Sequence, residues 1–117
     1  MSDDRLWEKT RRFRQRVARL LRVLPRNDNG RAIGQELARS LSDLGVHYRA
    51  ALSAHSLDER LEQLSTAQED ADDTAYWMEV ISGARLLRRD LLAPLLQDAA
   101  DISATLAVAA RRPRNAQ

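Results

Sequence analysis

Glu69-Asp-Ala-Asp-Asp-Thr-Ala-Tyr-Trp-Met-Glu-Val-Ile81 is the stretch on which the fold turns. Ala71, Ala75, Met78 and Ile81 recur at steps of three and four, the spacing of one helix face. The chain's only Tyr-Trp pair lies here, preceded by Glu69, Asp70, Asp72 and Asp73. The stretch reads as the middle of a long core helix.

Upstream, Ser56-Leu-Asp-Glu59 is a capping box, in which serine and glutamate close on each other's backbone N–H groups. A seam runs on through Leu57, Leu61, Leu64, Gln68, Ala71, Ala75 and Met78. Ser82-Gly83 supplies a stop, so the spacing predicts a helix over 57–82. Before it, Ile33, Leu37, Leu41, Leu44, Tyr48 and Leu52 predict a helix over 31–54. Gly34 and Gly45 fall inside that helix, each at a cost of about 1 kcal/mol against alanine. They mark either a backbone passing close by or a bend.

The first helix is predicted over 3–24, with Leu6, Thr10, Phe13, Val17, Leu20 and Leu24 as its seam. Asp3 and Asp4 suit its N-terminus, and Pro25 ends it. Residues 26–30, Arg-Asn-Asp-Asn-Gly, read as a loop. The fourth helix is predicted over 90–111, through Leu92, Leu95, Ala99, Ile102, Leu106 and Ala109. Pro94 is tolerated only near a first turn, which fixes the start. Residues 112–117 read as a flexible tail. Four such helices with short links make one domain, 1–111, an all-α, up-down-up-down antiparallel four-helix bundle.

Composition agrees. The 117 residues contain no cysteine, which excludes disulfides and thiolate metal sites and suits a reducing compartment. No apolar leader opens the chain and no uninterrupted apolar run reaches the ~20 residues of a membrane span. The expectation is a cytoplasmic protein with no membrane partner. Charge is uneven: residues 1–31 hold ten Arg or Lys against four Asp or Glu, and residues 58–79 hold one Arg against eight acids. The total is only +2, so the molecule is polarised rather than basic overall.

Ile33-Gly34, Leu37, Arg39-Ser40, Gly45-Val-His-Tyr-Arg-Ala-Ala51 and Ala67 to Ile81 resemble the small bacterial four-helix-bundle family encoded in 23S rRNA intervening sequences, the S23-like family. The accessory variability proteins of diversity-generating retroelements share that fold. His47, Ala50 and Asp43 depart from the Asn, Glu and small polar residue usual there. The resemblance implies a homopentamer without catalysis. In the retroelement branch it also implies binding to nucleic acid and to a reverse transcriptase.

The candidate sites follow. Arg5, Arg12, Arg16, Arg19 and Arg26 run along one side of the first helix and would bind phosphates of RNA or DNA. The same stripe could instead pair with third-helix acids of a neighbouring subunit, or simply face water. Trp77, Ile81, Leu87, Leu91 and Leu96 exceed what one buried stripe per helix accommodates, and predict an oligomer interface. His47 and His55 lie in no di-metal motif, no nucleophile motif is present, and neither a metal nor a cofactor is expected. The expectation is a non-enzymatic oligomeric scaffold for nucleic acid and a nucleic-acid enzyme. The alternative is a protein-interaction module with no nucleic-acid role.

Overall fold

The structure, a computed structural model, describes residues 3–111, and for Asp3 and Asp4 only the backbone. Met1, Ser2 and the predicted tail over 112–117 lie outside the described residues. The four helices are α1 (Asp3–Arg22), α2 (Asp28–Leu52), α3 (Leu57–Gly83) and α4 (Arg89–Ala109). α2 packs against α3 and α3 against α4, while α1 lies more loosely between α2 and α4. This closed ring is the expected antiparallel bundle, with α1 and α3 on opposite corners. It is elongated, 52 × 22 × 20 Å.

The helix ends differ from expectation for local reasons. α2 begins three residues earlier than predicted, because Asn27 caps it: its Oδ1 accepts the Gly30 N–H at 2.8 Å. Asn and Asp favour turns and N-caps through the same side-chain chemistry, so a stretch read as loop became a first helical turn. At the α3 start, Ser56 Oγ accepts the Glu59 N–H at 3.1 Å. Glu59 reaches one residue further back than the capping box requires, and accepts from His55 N at 2.9 Å.

α3 ends in a Schellman motif, with Leu86 N donating to Ile81 O and Arg85 N to Ser82 O, each at 3.1 Å. The left-handed position belongs to Arg85, φ 58°, while Gly83 remains helical. The glycine that signalled the stop sits two residues before the position that needs it.

The first-helix seam is buried in full, from Leu6 to Leu24. On α2, Leu37, Leu41, Leu44 and Tyr48 are buried, Ile33 is partly so, and Ala51 replaces the exposed Leu52. On α4, Leu92 through Leu106 are buried and Ala109 is exposed. α3 corrects the sequence reading. Its buried face is Leu64, Ala67, Ala71, Thr74, Met78 and Ile81, so Gln68 and Ala75 give way to Ala67 and Thr74. Leu61 is only half-buried and Leu57 exposed. Both registers share Leu64, Ala71 and Met78. α3 is packed from both sides, and the fit of small Ala67 and Thr74 against α2 decides between them.

By length and composition α4 is apolar enough to cross a membrane. Six of its 21 residues are alanine, which raises hydropathy at little apolar area. Its seam residues Leu92, Leu95, Ala99, Ile102 and Leu106 face the bundle core.

Candidate nucleic-acid interface

The basic residues of α1 fall on two sides of the helix. Arg5, Lys9, Arg12, Arg16 and Arg19 step by four, three, four and three, and so share one face. That face looks towards α4. Arg5, Arg12 and Arg16 line one groove of about 500 Å³, together with Glu8, Lys9, Phe13 and Asp98. Arg16 continues into a second hollow with Arg19, where Leu20, Val23, Leu91 and Leu95 form the walls.

This face is partly neutralised. Arg16 Nη1 donates to Asp98 Oδ2 at 2.8 Å, and Lys9 Nζ lies 3.5 Å from Asp101 Oδ2. Glu8 pairs with Arg11 and stands 3.7 Å from Arg12. The Arg11 hydrogen bond holds the Glu8 carboxyl below its usual range, against the opposing effect of desolvation. The partners in these pairs are α4 acids and a local glutamate of the same chain, not acids of the third helix. Arg19 is exposed. Arg26 is also exposed, but it leaves the stripe: it follows Pro25 in the link and lines the groove between α1 and α2.

That second groove was not legible as a site in the sequence. One hollow of about 390 Å³ is bordered by Arg22, Arg26 and Arg31 over Gly34, Gln35 and Ala38. Another of about 280 Å³ is bordered by Trp7, Arg14, Ser42, Gly45, Val46 and Arg49. Arg14 Nε donates to Leu41 O at 3.3 Å. Arg49 lies 5.9 Å over the Trp7 ring, whose centroid is 5.7 Å from that of Tyr48. At the interior glycines Gly34 and Gly45 the close neighbours are side chains rather than an approaching backbone. A Cβ on Gly45 would meet the Arg14 guanidinium, 2.4 Å from its Cζ, and one on Gly34 would meet Leu24 Cδ1 at 3.3 Å. The backbone approach occurs at Gly30, where a Cβ would fall 1.9 Å from Pro25 O.

The acidic stretch of α3 is divided among its neighbours. Asp70 Oδ2 lies 2.6 Å from His47 Nδ1 on α2, and Asp72 accepts from Ser103 Oγ on α4 at 2.6 Å. Burial raises the Asp70 carboxyl above its usual range; His47 opposes this, and nearby Asp43 and Asp73 add to it. Beside this pair, Thr74 Oγ1 lies 2.8 Å from Asp70 O and 3.2 Å from Ser40 Oγ, and Ser40 donates to Leu37 O at 3.0 Å. Among the described residues no three His, Asp or Glu side chains gather where they could hold a metal ion.

The predicted interface residues separate as well. Ile81 is 0 % exposed and belongs to the core of the bundle itself, which corrects its assignment to an oligomer surface. The α3 register explains this: with Thr74 and Met78 inward, Ile81 follows one turn later on the same face. Trp77, Leu87 and Leu96 are half-buried against the core, and Leu91 is 52 % exposed. Tyr76 is exposed and packs edge-on to Trp77, with centroids 5.0 Å apart.

No protein-family model matches the chain, and no curated protein matches it. A solved structure does: a protein of unknown function from the S23 ribosomal protein family of Bacteroides thetaiotaomicron, with a TM-score of 0.84 over 92% of this chain and 99% of that one. The two are 21% identical, a level at which the likeness speaks for the fold. The chain thus has the four-helix fold of that S23 ribosomal family protein.

Proposed function

We propose that the chain is a non-enzymatic, homo-oligomeric helical-bundle scaffold that binds nucleic acid and a nucleic-acid enzyme, as a reverse-transcriptase accessory protein would. The observation that carries the nucleic-acid part is the basic surface of α1 and the link after it, where Arg12, Arg19 and Arg26 stand exposed. Arginine presents a planar fork that matches phosphate oxygens, and a concentration of it on one helix draws polyanions. Self-association is supported by Leu91 with Val23 beside it in one hollow, both exposed, and by Tyr76 next to half-buried Trp77. Pentameric order and the reverse-transcriptase partner rest on the sequence resemblance to the S23-like and retroelement accessory families.

The test is solution mass together with binding of single-stranded RNA and DNA over a salt series. The expected result is a multiple of the 13.3 kDa chain and sequence-tolerant binding that weakens steeply with salt. A monomeric mass at micromolar concentration removes the assembly. Absence of binding at low salt removes the nucleic-acid role and leaves a protein-interaction module.

A further inference from the structure

Three of the chain's four glycines, Gly30, Gly34 and Gly45, lie on α2 where it meets α1 or the link after it. Glycine inside a helix is unfavourable, so its use here needs a reason. At Gly45 the reason is visible: the absent side chain leaves room for the Arg14 guanidinium. Arg14 is partly buried, with one hydrogen bond to a carbonyl and no carboxylate within ion-pair distance among the described residues. A guanidinium taken partly out of water without a counter-charge is costly, and an anion in the groove would relieve it.

Arg14 is not alone. Arg22, Arg26, Arg31 and Arg49 border the same α1–α2 groove, and neither of its hollows has an Asp or Glu in its lining. None of these five arginines is ion-paired among the described residues, whereas Arg12 and Arg16 on the α4 side face Glu8 and Asp98. On α2 the groove follows one edge, Arg31, Gly34, Ala38, Ser42, Gly45 and Arg49, at steps of three and four. From Arg31 to Arg49 that edge is roughly 27 Å long at 1.5 Å per residue. Trp7 has Tyr48 near its ring and Arg49 over it, so it holds an arginine in place rather than offering a free face to a base. Cations in a row with no open aromatic platform recognise a backbone rather than bases.

We propose that the α1–α2 groove, rather than the α1–α4 stripe, seats the phosphodiester backbone of a single nucleic-acid strand. This rests on the nucleic-acid reading above and gives it a place. Neighbouring helices leave hollows of about 280 and 390 Å³, the scale of one chain laid lengthwise. Arg22, Arg26 and Arg31 grip one end and Arg14 and Arg49 the other. The contacts are to phosphates, so the groove is tolerant of sequence.

The experiment uses the full chain and fluorescein-labelled oligouridylate and oligothymidylate of twenty nucleotides, followed by anisotropy from low to moderate salt. The triple variant Arg22→Gln, Arg31→Gln, Arg49→Gln removes three exposed charges without touching the core. Its log–log salt slope is expected to flatten by about two units, at about 0.7 per phosphate contact on a single strand, with about tenfold or greater loss of affinity at low salt. Helicity and oligomeric mass stay unchanged. Gly45→Ala, which displaces the Arg14 guanidinium, weakens binding in the same direction. The stripe variant Arg12→Gln, Arg16→Gln, Arg19→Gln loses less affinity than the groove variant and flattens the salt slope less. The reverse ranking overturns the proposal and leaves the nucleic-acid reading standing. A triple variant at Arg22, Arg31 and Arg49 that changes oligomeric mass and not binding also overturns it, and makes the groove a dock for acidic side chains of a second copy. A wild-type chain that binds neither oligonucleotide overturns both the proposal and the reading under it.

Discussion

Nδ1 of His47 lies 2.6 Å from Oδ2 of Asp70, and this contact ties the middle of α2 to the middle of α3. Burial raises the Asp70 carboxyl above its ordinary value, against the pull of His47. Between its unfolded and its folded pKa the native state therefore holds more proton than the unfolded state. The contribution of this group to stability is fully present below the ordinary aspartate range and is lost as pH rises through the raised value. Urea unfolding of wild type and Asp70→Asn from pH 3 to 7 reads this directly. The stability of wild type relative to the variant is expected to fall with rising pH across that window. A relative stability that climbs with pH contradicts the assignment.

The α3 register gives a second prediction. Phe13 is buried against the bundle core, and Phe13→Ala is expected to cost about 3–5 kcal/mol. Leu61 is half-buried, so Leu61→Ala is expected to cost about 1 kcal/mol, roughly half the transfer energy of a full leucine. Chemical denaturation of the two variants separates the observed register from the one centred on Leu61 and Gln68. Equal costs would favour the latter.

The end of α3 offers a gain in stability. Nothing lies within 4 Å of a Cβ built on Gly83, whose backbone is helical, while Arg85 holds φ at 58°. Gly83→Ala and Arg85→Gly are each expected to stabilise the fold by about 0.5–1 kcal/mol, one by restricting the unfolded chain and one by removing left-handed strain. The sites are close, so the double variant tests whether the two gains add. A loss of stability in Gly83→Ala would show that the position serves a contact outside the chain.

Leu91 and Ile81 respond differently to charge. Leu91→Lys places an ammonium on a surface residue, and its expected effect is a smaller oligomer with unchanged helicity, read by light scattering and circular dichroism. Ile81→Lys buries an unpaired charge in the core, and its expected effect is loss of the cooperative fold. An oligomer untouched by Leu91→Lys would move the interface away from this hairpin.

Periodicity by itself determined the number of helices, their approximate limits and most of the core. Leu6 through Leu24 and Leu92 through Leu106 needed nothing beyond steps of three and four, because α1 and α4 each present one dominant apolar stripe. The tertiary structure decided three things that local sequence underdetermines. It chose the α3 face, since small residues such as Ala67, Thr74 and Ala75 carry too little hydropathy to set a register and only close packing on α2 and α4 does. It turned Ile81 inward. It also divided the basic residues of α1, pairing Lys9 with Asp101 and Arg16 with Asp98, which lie 92 and 82 residues away in sequence. Arg14 stayed on the other side, seated where Gly45 has no side chain. A charge count shows how basic a helix is; which of its charges remain available is a property of the neighbours that folding brings beside them.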